Sequence, residues 1–203
     1  DRSRPGYLKM GWRLVQRLPV AATPRSPRTL VRLARARTPA DKWSTPTTAG
    51  VPLPEVLAEA GALTELIEAA RPRDGRLHTD RSAAYLAWRY GFPPLHYRAL
   101  VAPGGIEAGL AVFRLRRRGA ALEAAICELL VPPDDRRTGP ALVRQVLRAT
   151  GADHAVQIGR ARPASGTLPV PGQGPTLVWR DLTETTMPPA ESWALALGDI
   201  ELF

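Results

Sequence analysis

The stretch from His96 to Gly159 constrains the fold more than any other part of the sequence. It contains three apolar runs of strand length, separated by short segments rich in turn-forming residues. Those segments, Pro103-Gly104-Gly105 and Arg118-Gly119, suit hairpin turns, which join antiparallel strands. We therefore predict an antiparallel meander of three strands over residues 97–102, 106–116 and 122–131.

A helix and a further strand are predicted after the meander. Residues 140–150 carry apolar side chains at a spacing that puts them on one helical face. Pro140 lies at the start of this segment and Gly151 just after it, as helix boundaries prefer. The apolar residues 155–158 then favour a short strand, and a strand-helix-strand order favours parallel pairing. The predicted fold class is α/β, with a mixed sheet in which the meander adjoins a parallel strand-helix-strand unit.

Two helices and two strands are predicted outside this stretch. Residues 54–71 carry apolar side chains at helical spacing. Residues 80–90 form a second predicted helix, with Thr79 or Asp80 as its N-cap and Gly91 after its end. Apolar runs at 177–182 and 193–197 predict the last two strands.

The basic charge of the chain lies almost entirely in its first 50 residues. The net charge is +9, and residues 1–50 alone hold 11 Lys or Arg against 2 Asp or Glu. Residues 51–203 hold 17 residues of each sign and are neutral. No aromatic residue interleaves the arginines of segment 28–37, as stacking on single-stranded nucleic acid would require. An Arg-rich nucleic-acid binder is therefore the weakest functional hypothesis.

Several other classes of protein are disfavoured by simple counts. The single cysteine, Cys127, excludes an internal disulfide framework and is predicted to be a buried thiol within a strand. The three histidines are scattered without metal-ligand spacing, so no metal site is predicted. No apolar run approaches the length of about 20 residues that a membrane span needs. The start lacks an initiator Met and a signal-peptide pattern, so we interpret the chain as a cytoplasmic piece of a longer protein.

Residues 136–141, Arg-Arg-Thr-Gly-Pro-Ala, connect the third predicted strand to the 140–150 helix, and this loop resembles the acetyl-CoA loop of the GNAT family of N-acetyltransferases. There an Arg-x-x-Gly-x-Ala order leads from a strand into a helix, as Arg136-Arg137-Thr138-Gly139-Pro140-Ala141 does here. The resemblance implies that acetyl-CoA binds residues Arg136, Arg137, Thr138, Gly139 and Ala141 through N–H groups that point at its pyrophosphate. The alternative is a structural turn that keeps only the family's shape, since Pro140 lacks an N–H and Asp134 and Asp135 add negative charge.

Three more segments resemble GNAT proteins. Residues 3–12, with Ser3, Tyr7, Lys9, Gly11 and Trp12, are similar to the closing stretch of a GNAT domain. Residues 85–90 and 193–203 are similar to elements of the second half of two-domain members. The resemblance implies that residues 1–22 end an upstream GNAT domain and that residues 54–203 form a second GNAT-like domain. Residues 23–53, rich in Pro and Arg, are predicted to be a solvated linker.

The function implied by the resemblance is acetyl transfer from acetyl-CoA to an amine of unknown identity. Tyr7 would protonate the departing thiolate, and Glu128, with Glu123 as the other candidate, would be the base that frees the amine. Residues 54–203 contain no second clear catalytic group. The main alternative is therefore a non-catalytic module that serves an upstream catalytic domain as a lid, a substrate-pocket wall or a homodimer surface.

Overall fold

The computed structural model of the chain describes residues 4–29, 31–32, 38–182 and 186–200. Ser3, the last three residues of the 193–203 segment and much of the arginine-rich segment 28–37 lie outside the described residues. The described helices are α1 (Arg4–Lys9), α2 (Leu53–Ala58), α3 (Ala60–Ala69), α4 (Ala83–Tyr90) and α5 (Thr138–Thr150). The strands are β1 (Arg13–Arg17), β2 (Val20–Pro24), β3 (Val51–Pro52), β4 (Arg98–Ala102), β5 (Gly105–Arg118), β6 (Ala121–Leu130), β7 (His154–Ile158), β8 (Leu168–Pro169) and β9 (Thr176–Trp179).

The predicted mixed sheet is confirmed. Seven strands form it in the order β3-β4-β5-β6-β7-β2-β8. The meander β4-β5-β6 is antiparallel, and β6 and β7 are parallel neighbours joined by α5. Gly105, the first residue of β5, and Gly119, in the turn between β5 and β6, both have positive φ, which only glycine adopts readily. The protein is thus mixed α/β.

Strand β2 belongs to the same sheet, which the sequence analysis did not predict. It pairs antiparallel with β7 on one side and with β8 on the other. Ala21 and Ala22 at its centre are fully buried. The boundary at residue 22, which the resemblance implies, therefore passes through a strand of the seven-stranded sheet.

The end of the predicted linker packs against the sheet instead of extending through solvent. Strand β4 pairs with β5 only as far as Phe113. Beyond that point, the N–H groups of Thr45 and Asp41 donate to the carbonyls of Leu115 and Arg117 over 2.8 and 2.7 Å. The segment thus covers an edge of β5 that would otherwise offer unpaired backbone groups.

Helices cover both faces of the sheet. On one face, Leu63, Leu66 and Leu86 of α3 and α4 pack with residues of β5 and β6, including buried Cys127. On the other face, the apolar stripe of α5 packs against Phe113. Burial of these side chains is the main stabilising contribution to the fold. Within the described residues, none of the helices has the length and apolar character required to cross a bilayer.

Three predicted elements need correction. The helix expected over 54–71 is broken at Glu59, whose ψ of 56° is not helical, into α2 and α3. The second helix is capped by Ser82, whose hydroxyl accepts from the N–H of Tyr85 over 3.0 Å, and not by Thr79 or Asp80. Residues 193–197 form only one bridge, from Trp193 to Leu77, and β9 pairs with β1 in a separate two-stranded sheet.

Candidate functional site

Strands β6 and β7 diverge shortly after they begin. They pair at three positions, from Glu123 with His154 to Ala125 with Val156. Beyond these pairs both strands continue, β6 to Leu130 and β7 to Ile158, without pairing to each other, although both are described in full. Between them lies a cleft of about 600 Å³, a volume within the range of small-molecule sites.

The cleft has four walls that come from distant parts of the chain. The diverging strands supply residues 126–130 and 157–159. The turn between β1 and β2 supplies Leu18 and Pro19. The end of α3 and the loop after it supply Ile67, Ala70, Arg71, Pro72, Arg76, His78, Thr79 and Arg81. Segment 190–197 supplies the remaining wall. The walls carry both apolar and charged side chains, as ligand sites generally do.

Glu128 lies on the wall formed by β6, and its carboxylate accepts hydrogen bonds from two neighbouring side chains. An additional residue in β6, Cys127, forms a bulge opposite β5 and turns Glu128 toward the face covered by α3 and α4. Arg81 Nε donates to Oε2 of Glu128 over 2.8 Å, and the hydroxyl of Tyr90 donates to Oε1 over 2.8 Å. Glu128 is 1 % exposed. It is therefore held in a buried ion pair.

Arg81 also binds the carboxyl-terminal segment. Its Nη2 donates to both oxygens of Asp199, over 3.1 and 2.9 Å. The hydroxyl of Thr79 and the N–H of Ala196 donate to the same carboxylate over 2.7 Å each. A Cβ on the neighbouring Gly198 would overlap the hydroxyl of Tyr90, so the segment approaches α4 as closely as glycine allows. This network fixes one wall of the cleft.

Burial and the neighbouring charges shift the pKa values of the ionisable groups in this network. Burial raises the pKa of Glu128, against the lowering effect of the Arg81 charge. Burial likewise raises the pKa of Tyr90, and the charge of Glu128 adds to that increase. The pKa of Arg81 is raised because Glu128 and Asp199 outweigh its own desolvation. The raised pKa of Glu128 would by itself favour proton uptake, but Tyr90 and Arg81 already donate to its two oxygens, so a substrate amine would have to displace one of these donors.

Glu123 lies at the other end of β6, outside the cleft. It receives hydrogen bonds of 2.6 Å from Arg116 Nε and from Arg118 Nε, and its Oε2 lies 3.1 Å from His154 Nε2. Burial alone would raise the pKa of Glu123, but His154 and the two guanidinium groups hold it well below its usual range. Arg118 also donates to the carbonyl of Thr38 over 2.9 Å. This cluster fastens the covering segment to the sheet and has a structural role.

In the loop predicted to bind acetyl-CoA, the carboxylate of Asp135 lies where it accepts hydrogen bonds from the loop's own backbone. Oδ1 of Asp135 accepts the backbone N–H groups of Arg137 and Thr138 over 2.8 and 2.9 Å. Hydrogen bonding from the Thr138 side chain first, and then from these two backbone N–H groups, lowers the pKa of Asp135, so its charge is retained at neutral pH. The N–H of Ala141 donates to the carbonyl of Arg137 over 3.1 Å. Residues 136–141 do not line the cleft. The geometry thus favours the structural turn over the phosphate cradle.

The other predicted site residues do not meet. Tyr7 lies on α1, 38 % exposed, with its ring edge-on to Trp12 at 5.6 Å, and it does not line the cleft. Gly139 is buried, and a Cβ there would lie 3.4 Å from Leu129, an ordinary van der Waals contact, so packing alone does not require glycine at this position. Of the residues proposed for chemistry or coenzyme binding, only Glu128 reaches the cleft.

Sequence reasoning missed the partners of Glu128. Tyr90 and Asp199, the latter a partner of Arg81, fall in segments that resemble GNAT elements, but the resemblance carries no signal of the contacts that these residues make. Arg81 lies 47 residues before Glu128 and carries no motif. Within the described ranges, no three His, Cys, Asp or Glu side chains are grouped as metal ligands would be.

Comparison with protein-family models and with curated proteins gave no match. The functional assignment therefore rests on the fold and on the cleft between β6 and β7.

Proposed function

We propose that the chain is part of a GNAT-family N-acetyltransferase and that its seven-stranded sheet is a non-catalytic, GNAT-like module of that enzyme. The observation that supports the family is the parallel unit β6-α5-β7, whose strands separate after three pairs. A splayed pair of parallel strands at this point is the feature expected of a GNAT-like sheet. The enzyme would transfer an acetyl group from acetyl-CoA to an amine.

The groups that acetyl transfer would need are already hydrogen-bonded within this module or lie away from the cleft, which favours a non-catalytic role for the module. Transfer to an amine needs a base for the amine, donors for the thioester carbonyl and an acid for the thiolate. Glu128 is held by Arg81 and Tyr90, and Tyr7 lies away from the cleft. Asp135 occupies two N–H groups that the pyrophosphate would need. The chemistry then belongs to the upstream domain, and this module forms part of the substrate pocket.

Calorimetric titration of the 203-residue chain with acetyl-CoA tests this proposal. We expect no binding at micromolar concentrations, in the chain itself or in the variant Asp135→Asn. That variant keeps an oxygen acceptor for the two N–H groups but removes the negative charge. Activity should appear when the chain is joined to its proposed upstream domain, and Tyr7→Phe should then slow release of CoA while Asp135→Asn should not.

A second candidate function is a coenzyme site within the cleft itself. It is favoured by the backbone of β6 beyond Ala125, which faces the cleft without pairing to β7. A dissociation constant in the micromolar range, worth about 8 kcal/mol, would support this candidate and contradict the supporting role. Tighter binding by Asp135→Asn would place the coenzyme phosphates at residues 136–141.

A further inference from the structure

The arginines that line the cleft divide into paired and unpaired groups. Five of them line it: Arg71, Arg76, Arg81, Arg160 and Arg162. Arg71 binds Asp80 over 2.8 Å and Arg76 binds Asp74 over 2.7 Å, while Arg81 holds Glu128 and Asp199. In the part of the chain that the structure describes, the guanidinium groups of Arg160 and Arg162 have no acceptor. Within the described residues, two cations of the lining, close together in the chain, are therefore left without a counter-charge.

The backbone that carries these two arginines is fixed, although their side chains are exposed. Both follow directly on β7, and the N–H of Gly159 between strand and loop donates to the carbonyl of Pro19 over 2.9 Å. The hydroxyl of buried Thr167 accepts the N–H of Arg162 over 2.5 Å and donates to its carbonyl over 3.1 Å. A pair of cations on a fixed loop at a cleft suits recognition of a carboxylate or a phosphate.

One carboxylate of the cleft is also unpaired. Glu128 and Glu191 are the carboxylates of the lining, and Glu128 is held by Arg81. Glu191 lies on segment 190–197, on a different wall from Arg160 and Arg162, and it forms no ion pair within the described ranges. A ligand with an anion at one end and a cation at the other would match both sets of charges, whereas a dianion would meet Glu191 unfavourably.

We propose that the cleft binds a small organic molecule that carries a carboxylate or phosphate, held by Arg160 and Arg162, and an amine that lies near Glu191. The anionic half follows from the unpaired arginines alone. The amine half rests on the proposed acetyl transfer, for which it names the class of acceptor: an amine that also bears an anionic group.

Four small probes of similar shape test the proposal: benzoate, para-aminomethylbenzoate, benzylamine and benzyl alcohol. Binding to the 203-residue chain is followed by the NMR signal of the indole N–H of Trp193, which lines the cleft. We expect benzoate to bind at least about tenfold more tightly than benzyl alcohol, a difference of about 1.4 kcal/mol. Para-aminomethylbenzoate should bind at least as tightly as benzoate, and benzylamine should bind no better than benzyl alcohol.

Variants that remove equal charge at different places test which residues bind the carboxylate and which bind the amine. Arg160→Gln with Arg162→Gln should abolish the preference for benzoate over benzyl alcohol. The control, Arg144→Gln with Arg148→Gln, removes the same charge from exposed positions of α5 outside the cleft and should preserve it. Glu191→Gln should weaken para-aminomethylbenzoate but not benzoate.

Three results would overturn the anion site. They are equal binding of benzoate and benzyl alcohol, an unchanged preference for benzoate in the Arg160 and Arg162 double variant, and no binding of any probe at millimolar concentrations. Any of these results would leave the acetyltransferase proposal standing. Binding of acetyl-CoA that the same double variant abolishes would assign the arginines to the coenzyme and overturn the proposed amine ligand. Failure of acetyl transfer with intact, Arg-dependent benzoate binding would instead overturn the proposed function alone.

Discussion

Arg81 and Glu128 form a buried ion pair in which the guanidinium Nε lies 2.8 Å from the carboxylate Oε2. The two side chains are 12 % and 1 % exposed. The same guanidinium holds Asp199, which lies 118 residues later in the chain. One cation thus joins the loop before α4, the middle of the sheet and the carboxyl-terminal segment.

Removing this cation should destabilise the protein severely. Arg81→Ala leaves Glu128 buried without its counter-charge, which is expected to cost about 3–5 kcal/mol of unfolding free energy. The double variant Arg81→Ala with Glu128→Gln should recover part of that loss, because it removes one of the two buried carboxylate charges that Arg81 neutralises, the other being Asp199. Denaturant unfolding of the two variants and the parent measures the difference. A loss below about 1 kcal/mol, the size expected of an exposed pair, would contradict the buried geometry.

The two buried glutamates of β6 should affect acid stability in opposite directions. The pKa of Glu123 is lowered on folding, so its contribution is fully present above its unfolded value of about 4.3 and is lost as pH falls below that value. The pKa of Glu128 is raised on folding, so its contribution declines as pH rises from about 4.3 toward its folded value. Unfolding free energies of Glu123→Gln and Glu128→Gln, measured against the parent from acid to neutral pH, separate the two. Slopes of the same sign would refute this prediction.

The same substitution should act in opposite directions at Gly198 and Gly61. At Gly198 a Cβ would meet the Tyr90 hydroxyl and the carbonyl of Cys127, so Gly198→Ala should cost about 1–3 kcal/mol and loosen the segment at 190–200. At Gly61, within α3, nothing lies within 4 Å of the new methyl group, so Gly61→Ala should stabilise by roughly 0.5–1 kcal/mol. Thermal unfolding compares the two, and limited proteolysis tests the loosened segment. Equal effects at both positions would show that the close approach of Gly198 is not maintained in solution.

Deletion of the first 50 residues should prevent stable folding of the remainder. The deletion removes β2, which exposes the edge of β7, and also removes the segment that bonds to Leu115 and Arg117 of β5. Amide NMR spectra should then be poorly dispersed, and adding residues 1–50 as a separate peptide should restore dispersion. A well-dispersed spectrum of residues 51–203 alone would instead support an independent domain after the linker.

The local features of the fold were predictable from the sequence. The meander, α5 and β7 each depend on apolar periodicity and turn residues within a short stretch, which a single sequence displays directly. The cap of α4 was misplaced by a few residues because Thr79, Asp80 and Ser82 are all good N-cap types, and only the structure shows which one accepts a helical N–H.

The long-range features could not be predicted. Nothing in residues 20–24 identifies residues 154–158 as their partners, because strand pairing leaves no local signal of its partner. The pairing of Glu128 with Arg81 is equally invisible, since both are ordinary residue types in separate elements. The sequence shows the negative charge at Asp134 and Asp135, but not whether a carboxylate there accepts the N–H groups that a phosphate would need. In the structure, Asp135 accepts the N–H groups of Arg137 and Thr138.

The position of β2 between β7 and β8 has a consequence for synthesis on the ribosome. Val20 emerges before Ile158, its partner roughly 140 residues later, and at about 5–20 residues per second the interval is on the order of ten seconds. During that time the nascent strand has neither of its neighbours, β7 and β8. Its short apolar centre, two alanines followed by Thr23 and Pro24, offers little surface to incorrect partners while translation is completed.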